Sequence, residues 1–438
     1  MRGIRLSFAA GTAQTSLRRN ITEGSHDMAP LRVNGKRLWS DLMASGEIAA
    51  LPHGGVDRMS LTDGDRDVRG LFGHWCQEAG LSLSVDAMGN MFARREGSDP
   101  SLAPVMLGSH LDSQSPGGKF DGPLGVLGAL EAVRSIAEAG IMTKRALEVV
   151  NWTNEEGARF SPGLMGSAVF AGALPLEDAH AATDRQGVRF GDELRRIRYD
   201  GAAPVGGRDV DAYFELHIEQ GPLLEEAGIT IGTVTHSHYS VFADMDVLGE
   251  NANIQSMPMM RRRNALVGAA KLIDAIDRVG IAYAPAGSAS AVVMDCWPNN
   301  RINIPHRAAF SYGIMHPDAD GAAAMAGEIE AAEARIAAET GLVFNTLVKR
   351  QRAPVHFDEG MIQLAEKAAA DLGYSCTRMR TRPGHDAFNM IRLCPTELIF
   401  VPCRDGWSHS EKEWSEPEHC TAGVEVLANA VLARANRG

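Results

Sequence analysis

The sequence predicts an α/β protein whose mixed, largely parallel sheet is flanked by helices and interrupted by an α+β insert. Three observations carry this expectation. Short apolar runs alternate with helix-spaced segments through the first half of the chain; the texture changes near residue 229; and the first texture resumes after Pro354. At 438 residues the chain also exceeds what one hydrophobic core usually serves, so two units are expected. The division is read as 31–228 and 353–438 for the outer unit and 229–352 for the insert, with 1–30 as a disordered extension.

Taken in order, 38–51 and 65–79 show helical apolar spacing, and 81–85 and 105–107 read as strands. The segment 123–139, rich in Ala, Leu and Val, reads as a helix between that last strand and another over 147–152. In the insert, 229–234, 241–248, 289–295 and 308–314 read as strands. Two helices are expected there: one continuing through 264–279, with the basic run Arg261-Arg262-Arg263 read as its solvated first turn, and the alanine-rich 319–340. A further helix, 360–372, belongs to the resumed α/β unit. No internal repeat is present.

A formal net charge of −12 with one short basic run speaks against a nucleic-acid partner, which needs a concentrated basic surface. No stretch approaches the ~20 apolar residues of a membrane span. The six cysteines lack paired spacing, which suits a reducing cytoplasm. The first 24 residues carry arginines without an apolar signal core, and Met28 is read as an alternative start.

Five clusters carry chemistry. Gly108-Ser109-His110-Leu111-Asp112 follows an apolar strand and precedes the glycine-rich Gly117-Gly118-Lys119-Phe120-Asp121-Gly122. Strand ends followed by such turns are where α/β proteins place ligands. An imidazole and a carboxylate there suit a divalent transition metal, with Asp112 placed to hold the histidine in its tautomer. Asn154-Glu155-Glu156-Gly157 puts two adjacent acids at another strand end, where one can ligate a cation while its neighbour takes a proton from water. In Glu215-Leu216-His217-Ile218-Glu219-Gln220-Gly221, alternation puts Glu215, His217 and Glu219 on one face. Gly384-His385-Asp386 and Trp407-Ser408-His409-Ser410 complete the set. Singly, each is compatible with a structural histidine or a solvated acidic loop; together in one α/β chain they point to a metal site.

Over 31–433 the chain resembles the hydantoinase/carbamoylase branch of the dinuclear metal aminoacylase and carboxypeptidase superfamily. The runs GSHLDS, GGKFDGPLGV, NWTNEEGARF, ELHIEQGP, PGHDA and SHSEKEW carry the resemblance. It implies a catalytic α/β unit with an inserted ferredoxin-like lid that forms the homodimer contact. It also implies two divalent ions, zinc, manganese or cobalt: one held by His110 and His217, the other by Glu156 and His409, with Asp121 bridging. Glu155 would be the general base, with Asp112 beside it in the catalytic set, and the reaction would be hydrolysis of a linear amide or ureido C–N bond. Gln220 matches a substrate-contacting glutamine and His385 a histidine of the active-site wall.

The sequence departs from this pattern in the insert. Asn253 stands where the family has an oxyanion-stabilising histidine that reaches across the dimer. Ile302 replaces an asparagine, with Asn303 as a stand-in, and Gly313-Ile314-Met315 replaces an Asp-Ile-Arg run whose arginine grips the substrate carboxylate. A methionine cannot replace a guanidinium–carboxylate contact. Two readings follow: the substrate lacks that carboxylate, or another cation receives it, Arg382 being the candidate. Beside the carbamoylase reading stand an aminoacylase or dipeptidase acting on an N-acyl group, which the His217-containing run disfavours, and a catalytically idle metal-binding relative.

Overall fold

A computed structural model of the chain describes residues 29–437. Most of the extension expected over 1–30, and the alternative start at Met28, lie outside the described residues.

The larger sheet has eight strands in the order Ser82–Val85, Met91–Arg95, Leu147–Trp152, Val105–His110, Ala212–Ile218, Thr396–Val401, Ile231–Ser237, Cys376–Thr381. Its four middle strands pair in parallel and are buried along their whole length. Helices Pro123–Glu138, Glu359–Leu372 and Pro417–Ala435 cover one face, burying Val105, Leu107, Phe214, Leu216 and Ile399. Alternate residues, among them Met106, Trp152, Tyr213 and Phe400, pack on the other face. Burial on both faces gives continuous apolar runs, which is why 105–107 and 147–152 were readable as strands.

The smaller sheet is antiparallel, in the order Val343–Arg352, Tyr239–Leu248, Arg307–His316, Ser288–Trp297. Helices Ala265–Tyr283 and Ala319–Thr340 pack on one face around Met245, Leu272, Ile276, Phe310 and Met325. Chain order is β-α-β-β-α-β, the ferredoxin-like connectivity. The first helix is capped by Asn264, whose side chain accepts from the Leu266 and Val267 amides, so the arginine run lies just before the helix rather than in its first turn. The second stops at Gly341, whose φ of +67° suits a residue without a Cβ.

Three expectations are corrected. The strand read over 229–234 is Ile231–Ser237, and it belongs to the larger sheet, where Ile231 and Val234 are buried. The smaller sheet therefore begins at Tyr239, and the chain crosses between sheets at His238 and again over 353–357. The first helix is Gly35–Gly46, since Ala49 adopts a positive φ of 56° that ends helical geometry. Strands Met91–Arg95, Val343–Arg352, Cys376–Thr381 and Thr396–Val401 and the last helix were not anticipated. Val343–Arg352 is an exposed edge whose residues are mostly polar or basic, so it lacks an apolar alternation to read. Among the described residues no helix is long and apolar enough to cross a membrane.

Candidate metal centre

The strand ends of the larger sheet bring the motif residues together. Asp121 Oδ1 lies 3.1 Å from His217 Nε2 and 3.5 Å from His110 Nε2. Its other oxygen, Oδ2, lies 3.2 Å from His409 Nε2, which is 3.4 Å from Glu156 Oε2. Two ligand groups result, His110–Asp121–His217 and Asp121–Glu156–His409, each with its donor atoms within 4.8 Å of one another and both using Asp121.

The histidines are prepared as ligands by the backbone. His110 Nδ1 meets the Asp112 carbonyl at 2.9 Å, and His217 Nδ1 meets the Ile218 carbonyl at 2.9 Å. A carbonyl only accepts, so each Nδ1 carries the hydrogen and each neutral ring presents its Nε2 lone pair to the cluster. His110 Nε2 is buried with no hydrogen-bond partner, which fits a nitrogen that ligates a cation. Gly122 makes room for that ring: a Cβ there would sit 2.4 Å from His110 Cε1.

Charge balance points the same way. Against burial, which favours neutral rings, the surrounding carboxylates raise His110 well above its ordinary value and raise His409 to about 9. Against burial again, His217, His110 and His409 hold Asp121 well below the usual carboxylate range. Burial, reinforced by Asp386, Glu156 and Asp121, drives the Glu155 carboxyl well above its ordinary value. The site lacks positive charge, and divalent cations fit it.

Glu155 lies beside these groups, with Oε2 3.5 Å from His110 Nε2. Asp112 acts differently from expectation. Its carboxylate stands 3.7 Å from His110 Nδ1 while its carbonyl makes the contact, and the carboxylate instead accepts the Glu155 and Glu156 amides at 3.3 and 3.4 Å. It therefore fixes the turn carrying both acids.

Gln220 Nε2 donates to Asp121 Oδ2 at 2.7 Å and contacts Ser408 Oγ at 3.1 Å, while its Oε1 is buried without a partner. His385 is not on the cavity wall: it packs behind His217 with ring centroids 4.7 Å apart, and its Nε2 is 3.1 Å from Thr381 Oγ1. Glu219 leaves the face expected for it and accepts the Leu223 and Leu224 amides at a helix start. Asn253 and Asn303 pair in a two-stranded ribbon away from the cavity of their own chain. There the Asn253 side chain accepts the Gln255 amide and Asn303 donates to Asn251. Arg382 donates to the Pro285 carbonyl at 2.8 Å and lines a recess shared with Met315, Gln220 and His409.

The cavity over the cluster is about 480 Å³. Loops of the α/β unit that carries the larger sheet contribute Asp121, Glu155, Glu156 and His409, and the smaller sheet contributes Phe242, Arg350, Gln351 and Arg352. Leu164, Gln220 and His409, all at its wall, hold positive φ, as does Asn154 next to Glu155. Non-glycine residues in that region carry a cost that folds tend to concentrate at functional sites.

Sequence reasoning assigned no role to Glu413 or to the two arginines. Glu413 Oε1 accepts the amides of Phe120 and Asp121 at 2.8 and 3.0 Å, and Ser408 Oγ donates to Asp121 Oδ2 at 2.7 Å. Both lie in or beside the SHSEKEW run, so the signal for them was present. Arg350 and Arg352 lie on the strand that was not anticipated.

An α/β unit with paired His/carboxylate ligand groups at its strand ends, carrying a ferredoxin-like insert, defines the class of metal-dependent hydrolases. The profile of peptidase family M20/M25/M40 matches residues 106–433, and the chain belongs to that family. It is 43% identical to an N-carbamoyl-L-amino-acid amidohydrolase of Rhizobium meliloti, over 92% of this chain and 97% of the relative. It is 37% identical to another from Geobacillus stearothermophilus, over 91% and 98%. A solved amidase of the hydantoinase/carbamoylase family from Burkholderia vietnamiensis superposes with a TM-score of 0.89 at 43% identity, covering 94% of this chain and 99% of that one. The resemblance drawn from the motifs holds, and the chain is a hydrolase of carbamoyl or amide C–N bonds.

Proposed function

We propose that the protein hydrolyses a linear ureido or amide bond in a small molecule, using two divalent ions held by His110, Asp121 and His217 and by Asp121, Glu156 and His409. The observation that carries this is Asp121, whose two oxygens face different ligand groups while Glu155 stands alongside. When bound, such ions polarise the scissile carbonyl and acidify an adjacent water. Glu155 takes the proton from that water as its oxygen bonds to the carbonyl carbon, and returns it to the leaving nitrogen as the C–N bond breaks. Burial, which makes this carboxyl a stronger proton acceptor, suits it to both transfers. For a ureido compound the products are an amine and carbamate, which falls to carbon dioxide and ammonia. The names of the relatives favour the ureido over the simple amide class.

The insert is read as a lid and as the contact of a homodimer in the cytoplasm. The exposed Ile254, Met259, Met260 and Ile302 around the Asn253/Asn303 ribbon support a surface covered by a second copy. Release of the amine product by protein reconstituted with zinc, manganese or cobalt, set against matched ureido and amide compounds, tests the reading. Turnover that requires metal and disappears in Glu155→Gln is expected; metal-independent turnover or an active Glu155→Gln protein contradicts it.

A further inference from the structure

The cavity is lined by the metal-ligand groups on one side and by two arginines on the other. Loops of the α/β unit contribute Asp121, Glu155 and Glu156, and the facing end of strand Val343–Arg352 contributes Arg350 and Arg352. Arg352 is the unusual one. Its Nε is buried without a hydrogen-bond partner, and its guanidinium lies over the Phe388 ring, 4.8 Å from the centroid. Burial lowers its pKa with no neighbouring carboxylate opposing the effect. A partly buried guanidinium whose Nε has no partner carries a desolvation cost that stacking on one aromatic ring offsets only in part, and an anion in the cavity would offset the rest.

Strand register places this cation relative to the position where the chain lacks one. Arg352 stands opposite Ser240, and Ser240 stands opposite Met315. Directly opposed residues share a face, so the three form one row, about 10 Å from first to last, with only a serine between. Arg350 lies two residues back on the same face, opposite Phe242. The planar guanidinium fork fits the two oxygens of a carboxylate.

We propose that Arg352 determines specificity by receiving a carboxylate of the substrate, so that the preferred substrates are ureido or amide compounds bearing a carboxylate near the scissile group. This rests on the hydrolase reading above. It is tested by ammonia release from an N-carbamoyl α-amino acid and from the urea of the same side chain without its carboxylate, in the metal-loaded enzyme. Calorimetric binding of the same pair to metal-loaded Glu155→Gln protein runs alongside.

The carboxylate member is expected to be preferred. Arg352→Met should lower the ratio of kcat/KM values, carboxylate over neutral, by about 10- to 100-fold, the worth of a charged hydrogen-bonded contact. Arg352→Lys should restore part of the ratio, and adding Met315→Arg to Arg352→Met should restore more, with thermal unfolding showing that each variant is folded. Equal preference in the wild type, or a ratio that collapses in Arg382→Met but not in Arg352→Met, overturns the proposal and leaves the hydrolase standing. Should neither compound turn over, the ureido reading of the proposed function falls, and binding still decides. Tighter binding of the carboxylate that is lost in Arg352→Met supports the anion site, and equal binding overturns it.

Discussion

The two walls of the cavity are made of different kinds of strand. On the larger sheet, His110 and His217 sit on strands buried along their whole length, and their free nitrogens are aimed by backbone carbonyls. On the smaller sheet, Arg350 and Arg352 end an exposed edge strand. Metal ligation and proton transfer need atoms held to within fractions of an ångström, which a packed core provides. Selection among substrates needs complementary charge, which an edge strand can change without disturbing the core. Under the proposed roles of Glu155 and Arg352, the chemistry is fixed on one wall and the choice of substrate is made on the other.

Substitutions on the two walls should then fail in different ways. The largest effect is expected for Glu155→Gln, which should lower kcat by about 10³- to 10⁴-fold while metal content, read by elemental analysis, stays unchanged. A drop in metal content of the same size would place Glu155 among the ligands and blur the comparison. Glu413→Gln should weaken metal binding by about 10- to 100-fold, because Glu413 holds the turn that presents Asp121. Its kcat should recover at saturating metal; a kcat defect that persists there would give Glu413 a role beyond positioning. On the other wall, Arg352→Met should change the substrate ratio by a comparable factor and leave metal affinity alone. The smallest catalytic effect is expected for Leu272→Ala in the core of the smaller sheet. Denaturant unfolding should show a loss of about 2–5 kcal/mol while the metal affinity of the folded protein is preserved.

Legibility in the sequence follows the same division. His110 could be read because it ends an apolar strand beside glycines, a pattern that burial on both faces imposes, whereas Asp121, Glu156, His217 and His409 were assigned through the family's motifs. His385 misled because a histidine in a glycine turn looks the same whether it faces the cavity or, as here, packs behind His217. Asp112 could be placed at the site, but the choice between its carbonyl and its carboxylate as partner for His110 is set by the turn geometry. The edge strand Val343–Arg352 escaped because its sequence, VFNTLVKRQR, is shaped by solvent and by the cavity rather than by a core. Its arginines were hidden with the strand, while Arg382, legible in the sequence, donates to the Pro285 carbonyl and lines the recess beside Met315.

The central claim is that Asp121 joins two ligand groups into one catalytic centre. It is tested most directly by titrating metal-stripped protein with zinc or manganese while measuring ammonia release from an N-carbamoyl amino acid. The account predicts negligible activity without metal and a rise that saturates at two ions per chain. Full activity at one ion per chain, or without any, would contradict it.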